Sequence, residues 1–83
     1  MRQYPVYTIV SPGFSVLLFE TIDGVAHFLA REKMALKPDS FHHASETAIR
    51  DLIASSSRRV TVFYAVNSPD FAYRCERHDV SID

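Results

Sequence analysis

The chain has 83 residues, a net charge of −1, a hydrophobic fraction of 47% and a single cysteine. This length suits one compact domain spanning residues 1–83, and the apolar content argues against a disordered chain. A lone Cys75 excludes an internal disulfide, and the lack of a basic excess argues against binding that relies on neutralising many phosphates.

The first part of the chain predicts a β-hairpin. Residues 4–10 are rich in Tyr, Val and Ile, which favour strands. Ser11-Pro12-Gly13 is typical of a turn, because Pro presets φ and Gly tolerates unusual backbone angles. Residues 14–20 form a second predicted strand, and their more continuous apolar run predicts a central position in the sheet.

The segment after this hairpin allows two interpretations. As a helix, it begins with Thr21 as N-cap and runs over residues 22–36, most of which are helix formers. As a strand, it uses Asp23-Gly24 as a tight turn and pairs Phe19 with Phe28. Propensity summed over the segment favours the helix.

A second helix is predicted from Phe41 to Ala54, where apolar residues recur at helical spacing. Glu46 lies four residues before Arg50, which is the favourable order for an ion pair on the outer face. Ser45 offers a later N-cap, in which case the residues before it are extended instead.

Two strands of alternating polarity flank Asn67-Ser68-Pro69-Asp70, a segment that favours a turn. Pairing Val66 with Phe71 gives a register with one apolar face. That face, directed at the core, carries Val60, Val62, Tyr64, Tyr73 and Cys75. The opposite, exposed face carries Arg59, Thr61, Phe63, Arg74 and Glu76. A slip of one residue exchanges the two faces of one strand, so the apolar pattern specifies the register.

The predicted element order ββααββ defines an α+β fold. Hairpins at both ends of the chain predict an antiparallel sheet of about four strands, with one or two helices packed on one face. We expect the other face to be partly solvated, with Phe63 and Arg74 on it.

Motifs that carry chemistry are scarce in this chain. Cys75 and His78 lie three apart on a strand and point to opposite faces, and the adjacent His42 and His43 diverge, so a shared metal ion is disfavoured. The chain contains neither a nucleophile elbow nor a glycine-rich phosphate loop. We therefore expect no catalytic residues, no metal, no cofactor and no enzymatic activity.

The exposed face of the last hairpin is the predicted protein-binding surface. Arg59, Thr61, Phe63, Arg74 and Glu76 combine an aromatic ring with arginines, as interface hot spots do. We expect a cytoplasmic domain without membrane association that binds a host complex, as an inhibitor or adaptor, or binds itself as a homodimer. Inhibitors from phages and mobile elements, such as anti-CRISPR proteins, are similar only in size and lack of motifs.

Nucleic-acid binding is the alternative that the sequence leaves open. A winged helix-turn-helix would use residues 45–57 as recognition helix and the turn at residues 67–70 as wing tip. That helix carries Glu46 and Asp51 beside a single basic residue, Arg50, and suits a phosphate-lined groove poorly. The last hairpin holds a basic cluster, for which cross-strand ion pairs are favoured over a phosphate site. The cluster comprises Arg58, Arg59, Arg74, Arg77 and His78.

Overall fold

The computed structural model describes residues 2–82 as a five-stranded antiparallel sheet with two helices. In chain order the elements are β1 (Arg2–Val10), β2 (Val16–Phe19), α1 (Ile22–Arg31), β3 (Met34–Ala35), α2 (Glu46–Ser55), β4 (Val60–Ala65) and β5 (Ser68–Ile82). The strands lie in the order β2-β1-β5-β4-β3, and each neighbouring pair is antiparallel. The predicted α+β fold is confirmed, with β3 as an additional short strand.

The hydrophobic core lies between one face of the sheet and the two helices. Alternate strand residues point to this face, and helix residues three or four apart pack against them. The core consists of Tyr7, Ile9, Phe63, Tyr73 and Cys75 from the long strands, Met34 from β3, and Val25, Ala26, Leu29 and Ile49 from the helices. The opposite face of the sheet carries exposed polar side chains such as Arg74 and His78 and forms the solvated side of the fold.

Helix α1 begins where its sequence predicts. The Thr21 hydroxyl accepts a hydrogen bond from the backbone amide of Gly24 (3.0 Å), and Asp23 lies in the first turn, where unpaired amides favour a carboxylate. The alternative hairpin around Asp23-Gly24 is therefore wrong. The rings of Phe19 and Phe28 nevertheless meet, with centroids 5.6 Å apart, because α1 packs across β2.

Helix α1 ends at Arg31, although the sequence predicts a helix as far as Leu36. Lys33 adopts a left-handed conformation with a φ of 56° and turns the chain back to the sheet. Met34 and Ala35 then pair with β4 and are fully buried. The hydrogen bonds and burial gained in the sheet outweigh their helix propensity, which is only a weak preference.

Helix α2 begins at Glu46 and not at Phe41, so the alternative in which Ser45 is the N-cap is confirmed. The Ser45 hydroxyl caps it by accepting a hydrogen bond from the Ala48 amide (3.1 Å). The segment before the cap is not helical. Instead, the Ala44 amide donates to the carbonyl of Met34 in β3 (2.8 Å), which holds this segment along the edge of the sheet.

Polar contacts between the two helices replace the ion pair predicted within α2. Arg50 lies 3.5 Å from Asp23 of α1, and Glu46 lies 3.1 Å from His27 of α1. These side chains are largely exposed, so each pair contributes about 0–1 kcal/mol at most. They align the helices without providing much of the stability.

The register predicted for the β4–β5 hairpin is wrong by one residue. A two-residue turn at Val66-Asn67 replaces the predicted four-residue turn, and residues 69–71 then bulge out of β5. The bulge shifts the pairing so that Phe63 lies opposite Tyr73. β5 keeps its predicted faces, with Tyr73 and Cys75 in the core, but the faces of β4 are exchanged and Phe63 is 0% exposed.

The exchange of faces in β4 has a simple energetic reason. Phe63 is wholly apolar, whereas Tyr64 carries a hydroxyl group that needs a hydrogen-bond partner when it is buried. The predicted register places Val60, Val62 and Tyr64 on the core side, whereas the observed register places Thr61 and Phe63 there. The register with Phe63 inside avoids the cost of desolvating the hydroxyl group, and a bulge next to a turn accommodates the shift.

Candidate protein-binding surface

β2 lies at an edge of the sheet, although its continuous apolar run predicted a central position. It pairs only with β1, in a register that places Leu17 opposite Ile9. Its side chains are consequently exposed on both faces: Val16 is 62%, Leu17 41% and Leu18 67% exposed. Together with Phe14, which precedes the strand, these residues are termed the β2 edge surface.

Exposed large hydrophobic side chains are concentrated on the β2 edge surface. Seven such side chains occur within residues 2–82, and four of them belong to this surface. The other three, Tyr4, Phe41 and Phe71, lie on separate segments. Single exposed apolar residues are common in proteins, but a contiguous group marks an interaction site.

Phe14 is the most exposed member of the surface and has an unfavourable backbone conformation. In the turn after β1, the Phe14 amide donates to the Ser11 carbonyl and the Ser11 amide donates to the Ser15 carbonyl (both 2.9 Å). Such three-residue turns place their last residue in the left-handed region, where glycine is usual. Phe14 has a φ of 64° and is 86% exposed. The conformation costs roughly 1–2 kcal/mol and gains little packing within the chain, a pattern typical of functional positions.

The open edge of β2 presents unpaired backbone groups at two residues. Ser11 and Ser15 form a hydrogen-bonded pair, and such pairs alternate with non-hydrogen-bonded pairs along an antiparallel ladder. Leu17 therefore directs its N–H and C=O groups toward β1. Val16 and Leu18 direct theirs away from β1, to the side on which a further strand can bind.

An apolar hollow adjoins β2 on the helix side of the sheet. Phe28 forms part of its wall and lies between Phe19 and Tyr73, with ring centroids 5.6 and 5.7 Å away. The Tyr73 hydroxyl donates to the Glu32 carboxylate (2.9 Å), and burial and this contact raise the pKa of Tyr73. The hollow measures about 480 Å³ and is lined by Phe19, Gly24, His27, Phe28, Arg31 and Glu32. A strand bound to β2 can place an apolar side chain there.

The five residues predicted as a binding site do not share a face. Thr61 and Phe63 point to the helix side, and Phe63 is part of the core. Arg74 and Glu76 lie on the solvated face, 3.2 Å apart. Arg59 precedes β4 and has an exposed side chain. The prediction of one exposed face is wrong, because the bulge in β5 exchanges the faces of β4.

Three arginines of the last hairpin form ion pairs, and one of these, Arg59 with Asp79, is of the predicted cross-strand kind, whereas the other two lie within β5. Arg59 and Arg77 both contact Asp79, at 3.3 and 3.2 Å, and Arg74 contacts Glu76. These two carboxylates offset part of the positive charge of the three arginines. The pairs therefore weaken the attraction that Arg59, Arg74 and Arg77 offer to a phosphate backbone.

Cys75 and His78, which the sequence places three residues apart, are not brought together. Burial, with a smaller effect of Glu76, raises the pKa of the Cys75 thiol to about 11, so the thiol is protonated and unreactive near neutral pH. His78 lies on the other face, with Nε2 3.0 Å from the Thr8 hydroxyl oxygen. Among the described residues, no three or more His, Cys, Asp or Glu side chains are close enough to hold a metal ion.

Neither helix in the described part of the chain has the length and apolar content needed to cross a bilayer. No protein-family model, curated protein or solved structure matches this chain. The candidate site is therefore defined by its geometry alone. The β2 edge surface was not among the predicted sites, because an apolar run from Phe14 to Phe19 favours a central strand and only the strand order reveals the edge.

Proposed function

We propose that this chain is a non-enzymatic protein-binding domain that acts through the β2 edge surface. It serves either as an inhibitor or adaptor of a larger complex or as a homodimer. The observation that carries the proposal is an uncharged edge strand that presents free backbone groups and apolar side chains together. Such strands bind further strands, because main-chain hydrogen bonds supply affinity and alternate side chains supply specificity.

Several devices that usually block an edge strand are missing from β2, although the strand is only four residues long. Proteins commonly protect an edge with Lys, Pro, a bulge or a covering segment. The segment from Phe14 to Phe19 contains neither a charged residue nor a proline, and the pairing of β2 with β1 is regular. An edge without these devices supports a role in contact with another chain.

Two observations favour protein binding over the other functions considered. The one thiol, Cys75, is buried and protonated, which supports a non-enzymatic domain that functions in a reducing compartment such as the cytoplasm. Arg59, Arg74 and Arg77 of the last hairpin are paired with carboxylates, which makes nucleic acid the weaker candidate.

A pull-down from the source cell with matched variants tests the proposal. Leu18 and Phe41 are similarly exposed, at 67% and 78%, but only Leu18 lies on the β2 edge surface. Wild type, Leu18→Lys and Phe41→Lys are compared by quantitative mass spectrometry. We expect bound proteins, further copies of the chain included, to be retained by Phe41→Lys and reduced about tenfold or more by Leu18→Lys, since a charge replaces an apolar contact. Equal retention by both variants contradicts the proposal.

A further inference from the structure

We infer that the β2 edge surface binds a second copy of this chain, by antiparallel pairing of β2 with β2 about a twofold axis at Leu17. The inference rests on the proposed function, because it names the partner of the same surface. The two five-stranded sheets then join into one continuous sheet of ten strands. Twofold dimers are also the commonest form of protein assembly.

The backbone of β2 selects this register. Val16 and Leu18 are the residues that direct their N–H and C=O groups to the open edge. With Leu17 opposite Leu17 of the second copy, each Val16 pairs with Leu18 of the other copy. Both residues then exchange N–H···O=C bonds with their partners, and the outward-facing groups of β2 are satisfied in both copies.

Neighbouring registers leave part of the edge unsatisfied. An axis at Val16 pairs Leu18 with Phe14, whose amide already donates to the Ser11 carbonyl within the chain. An axis at Leu18 pairs Val16 with Glu20, which lies beyond the end of β2. The axis at Leu17 is the register in which two full hydrogen-bonded pairs lie within the strand.

The side chains of β2 are also complementary to themselves. On the solvated face, Val16 lies beside Leu18 of the second copy, and on the helix side the two Leu17 side chains meet at the axis. Residues 14–19 carry no charge. Glu20 lies opposite Phe14 of the second copy and not opposite its own carboxylate. Self-pairing therefore covers the exposed apolar side chains without bringing like charges together on the strand.

The size of this contact sets the expected strength of the dimer. A standard interface covers about 800 Å² on each partner, which is more than one short strand and its side chains provide. We therefore expect the dimer to dissociate at roughly 1–100 µM, the range of weak specific contacts. The measurements must cover this range of concentration.

Sedimentation equilibrium at increasing protein concentration tests the dimer. The monomer has a mass of 9.5 kDa. We expect the mass of wild type and of Phe41→Lys to rise toward twice this value, whereas Leu18→Lys stays monomeric. A wild type that stays monomeric up to about 0.5 mM, well above the expected range, overturns the inference. A dimer that Leu18→Lys leaves intact overturns it as well, because its interface lies elsewhere.

Cysteine cross-linking tests the position of the axis. Residues opposite each other in a non-hydrogen-bonded pair have Cα atoms about 4.5 Å apart, within reach of a disulfide. Oxidation of Leu17→Cys is expected to give a covalent dimer, whereas Val16→Cys and Leu18→Cys give one only when the two are mixed. The native Cys75 is buried and stays protonated, so it does not compete. Cross-linking of Val16→Cys or Leu18→Cys alone, in preference to Leu17→Cys, overturns the register.

The inference and the proposed function fail in different ways. If the wild type is monomeric but captures proteins that Leu18→Lys does not capture, the second copy is overturned as the partner and the β2 edge surface is supported as the contact site. A dimer and captured proteins that all persist in Leu18→Lys overturn both.

Discussion

At one edge of the sheet the last strand, β3, is short and buried, whereas at the other edge the last strand, β2, is exposed and apolar. β3 spans two residues, Met34 is 1% exposed, and its carbonyl accepts a hydrogen bond from the Ala44 amide (2.8 Å). β2 is longer, and Val16 and Leu18 expose both their side chains and their outward backbone groups. Both are edge strands of one sheet, so strand position alone does not explain the difference.

The comparison shows that the exposure of β2 is not a general consequence of small size. The segment before α2 runs beside β3, because the Ala44 amide donates to the Met34 carbonyl, and both residues of β3 are buried. An unpaired edge with apolar side chains is an aggregation hazard unless another chain covers it. Under the proposed function, this open edge is where another chain binds.

A charge placed at each edge gives the largest expected difference. We expect Met34→Lys to cost about 5 kcal/mol or more, enough to unfold a small domain, because it buries an ammonium group in the core. Val16→Lys is expected to change stability by no more than about 0.5 kcal/mol at concentrations where the chain is monomeric. Circular dichroism and urea unfolding measure both, with Met34→Leu as a control for volume. Equal losses for the two lysines contradict the contrast between the edges.

The register in which β4 pairs with β5 can be tested by replacing two adjacent aromatic residues of β4. Phe63 is in the core and Tyr64 lies on the solvated face next to Ala35. We expect Phe63→Ala to cost about 3–5 kcal/mol and Tyr64→Ala less than about 2 kcal/mol. The reverse order in chemical denaturation indicates that the bulge in β5 is absent in solution and that Phe63 is exposed.

Between the two edges lies the buried Cys75, and we expect its thiol to make the stability of the fold decrease at alkaline pH. Its pKa is raised from 9.0 to about 11 in the folded chain, so the folded state holds the thiol proton more tightly than the unfolded state. The associated stability is fully present below pH 9 and is lost as the pH rises to about 11. The loss is roughly 2–3 kcal/mol, at about 1.4 kcal/mol per pH unit.

Unfolding free energies measured from pH 8 to pH 11 reveal this effect of Cys75. In Cys75→Ala the decline between pH 9 and 10 is expected to disappear. Tyr7 and Tyr73 have raised pKa values, mainly because of burial, and add a further decline above pH 10 in both proteins. An identical decline in the two proteins from pH 9 onward contradicts the burial of the thiol.

The smallest expected effects concern the residues that lead into the two edge strands. Lys33 precedes β3 and Phe14 precedes β2, and both have positive φ values, 56° and 64°. We expect Lys33→Gly and Phe14→Gly each to gain up to about 1 kcal/mol in the thermal unfolding of the monomer, because glycine relieves the backbone strain. Lys33→Ala and Phe14→Ala serve as controls without this relief.

The comparison of the two glycine variants separates function from folding. Phe14→Gly is expected to weaken self-association despite its greater stability, whereas Lys33→Gly leaves self-association unchanged. If Phe14→Gly dimerises as strongly as wild type, Phe14 does not contribute to binding at the β2 edge surface.

Several features were predictable because they depend on residues close together in the chain. Thr21 and Ser45 mark the starts of the helices, since an N-cap needs only a hydroxyl and an amide three residues on. The turn at Pro12-Gly13 and the α+β class likewise follow from local composition and element order. The burial of Tyr73 and Cys75 in β5 follows from its own alternation, which the bulge next to the turn does not alter.

The candidate site was predictable only in its general character. Protein binding was predicted for the last hairpin, but of the five predicted residues only Arg59 and Arg74 are exposed, and Phe63 is in the core. The predicted exposure of Phe63 was wrong because three residues of β5 bulge out of the ladder, and the sequence of β4 gives no sign of that bulge. The exposed residues Leu17 and Leu18 were missed because a continuous apolar run is expected both in a central strand and in an edge strand that binds another chain.

The sequence by itself therefore determined the N-cap of α1, the first hairpin and the fold class, and it limited the start of α2 to two positions, because these features rest on hydrogen bonds and side-chain periodicity within a few residues. The tertiary structure decided the end of α1, the faces of β4 and the position of β2. The end of α1 depends on the pairing of Met34 with Ala65, and the edge position of β2 depends on the pairing of Ile9 with Cys75, in both cases between strands distant in sequence. The faces of β4 depend on the bulge in β5, which sets the pairing of Phe63 with Tyr73. Such pairings are set by the free energy of the whole sheet, in which burial and ladder hydrogen bonds outweigh the local preferences of any one segment.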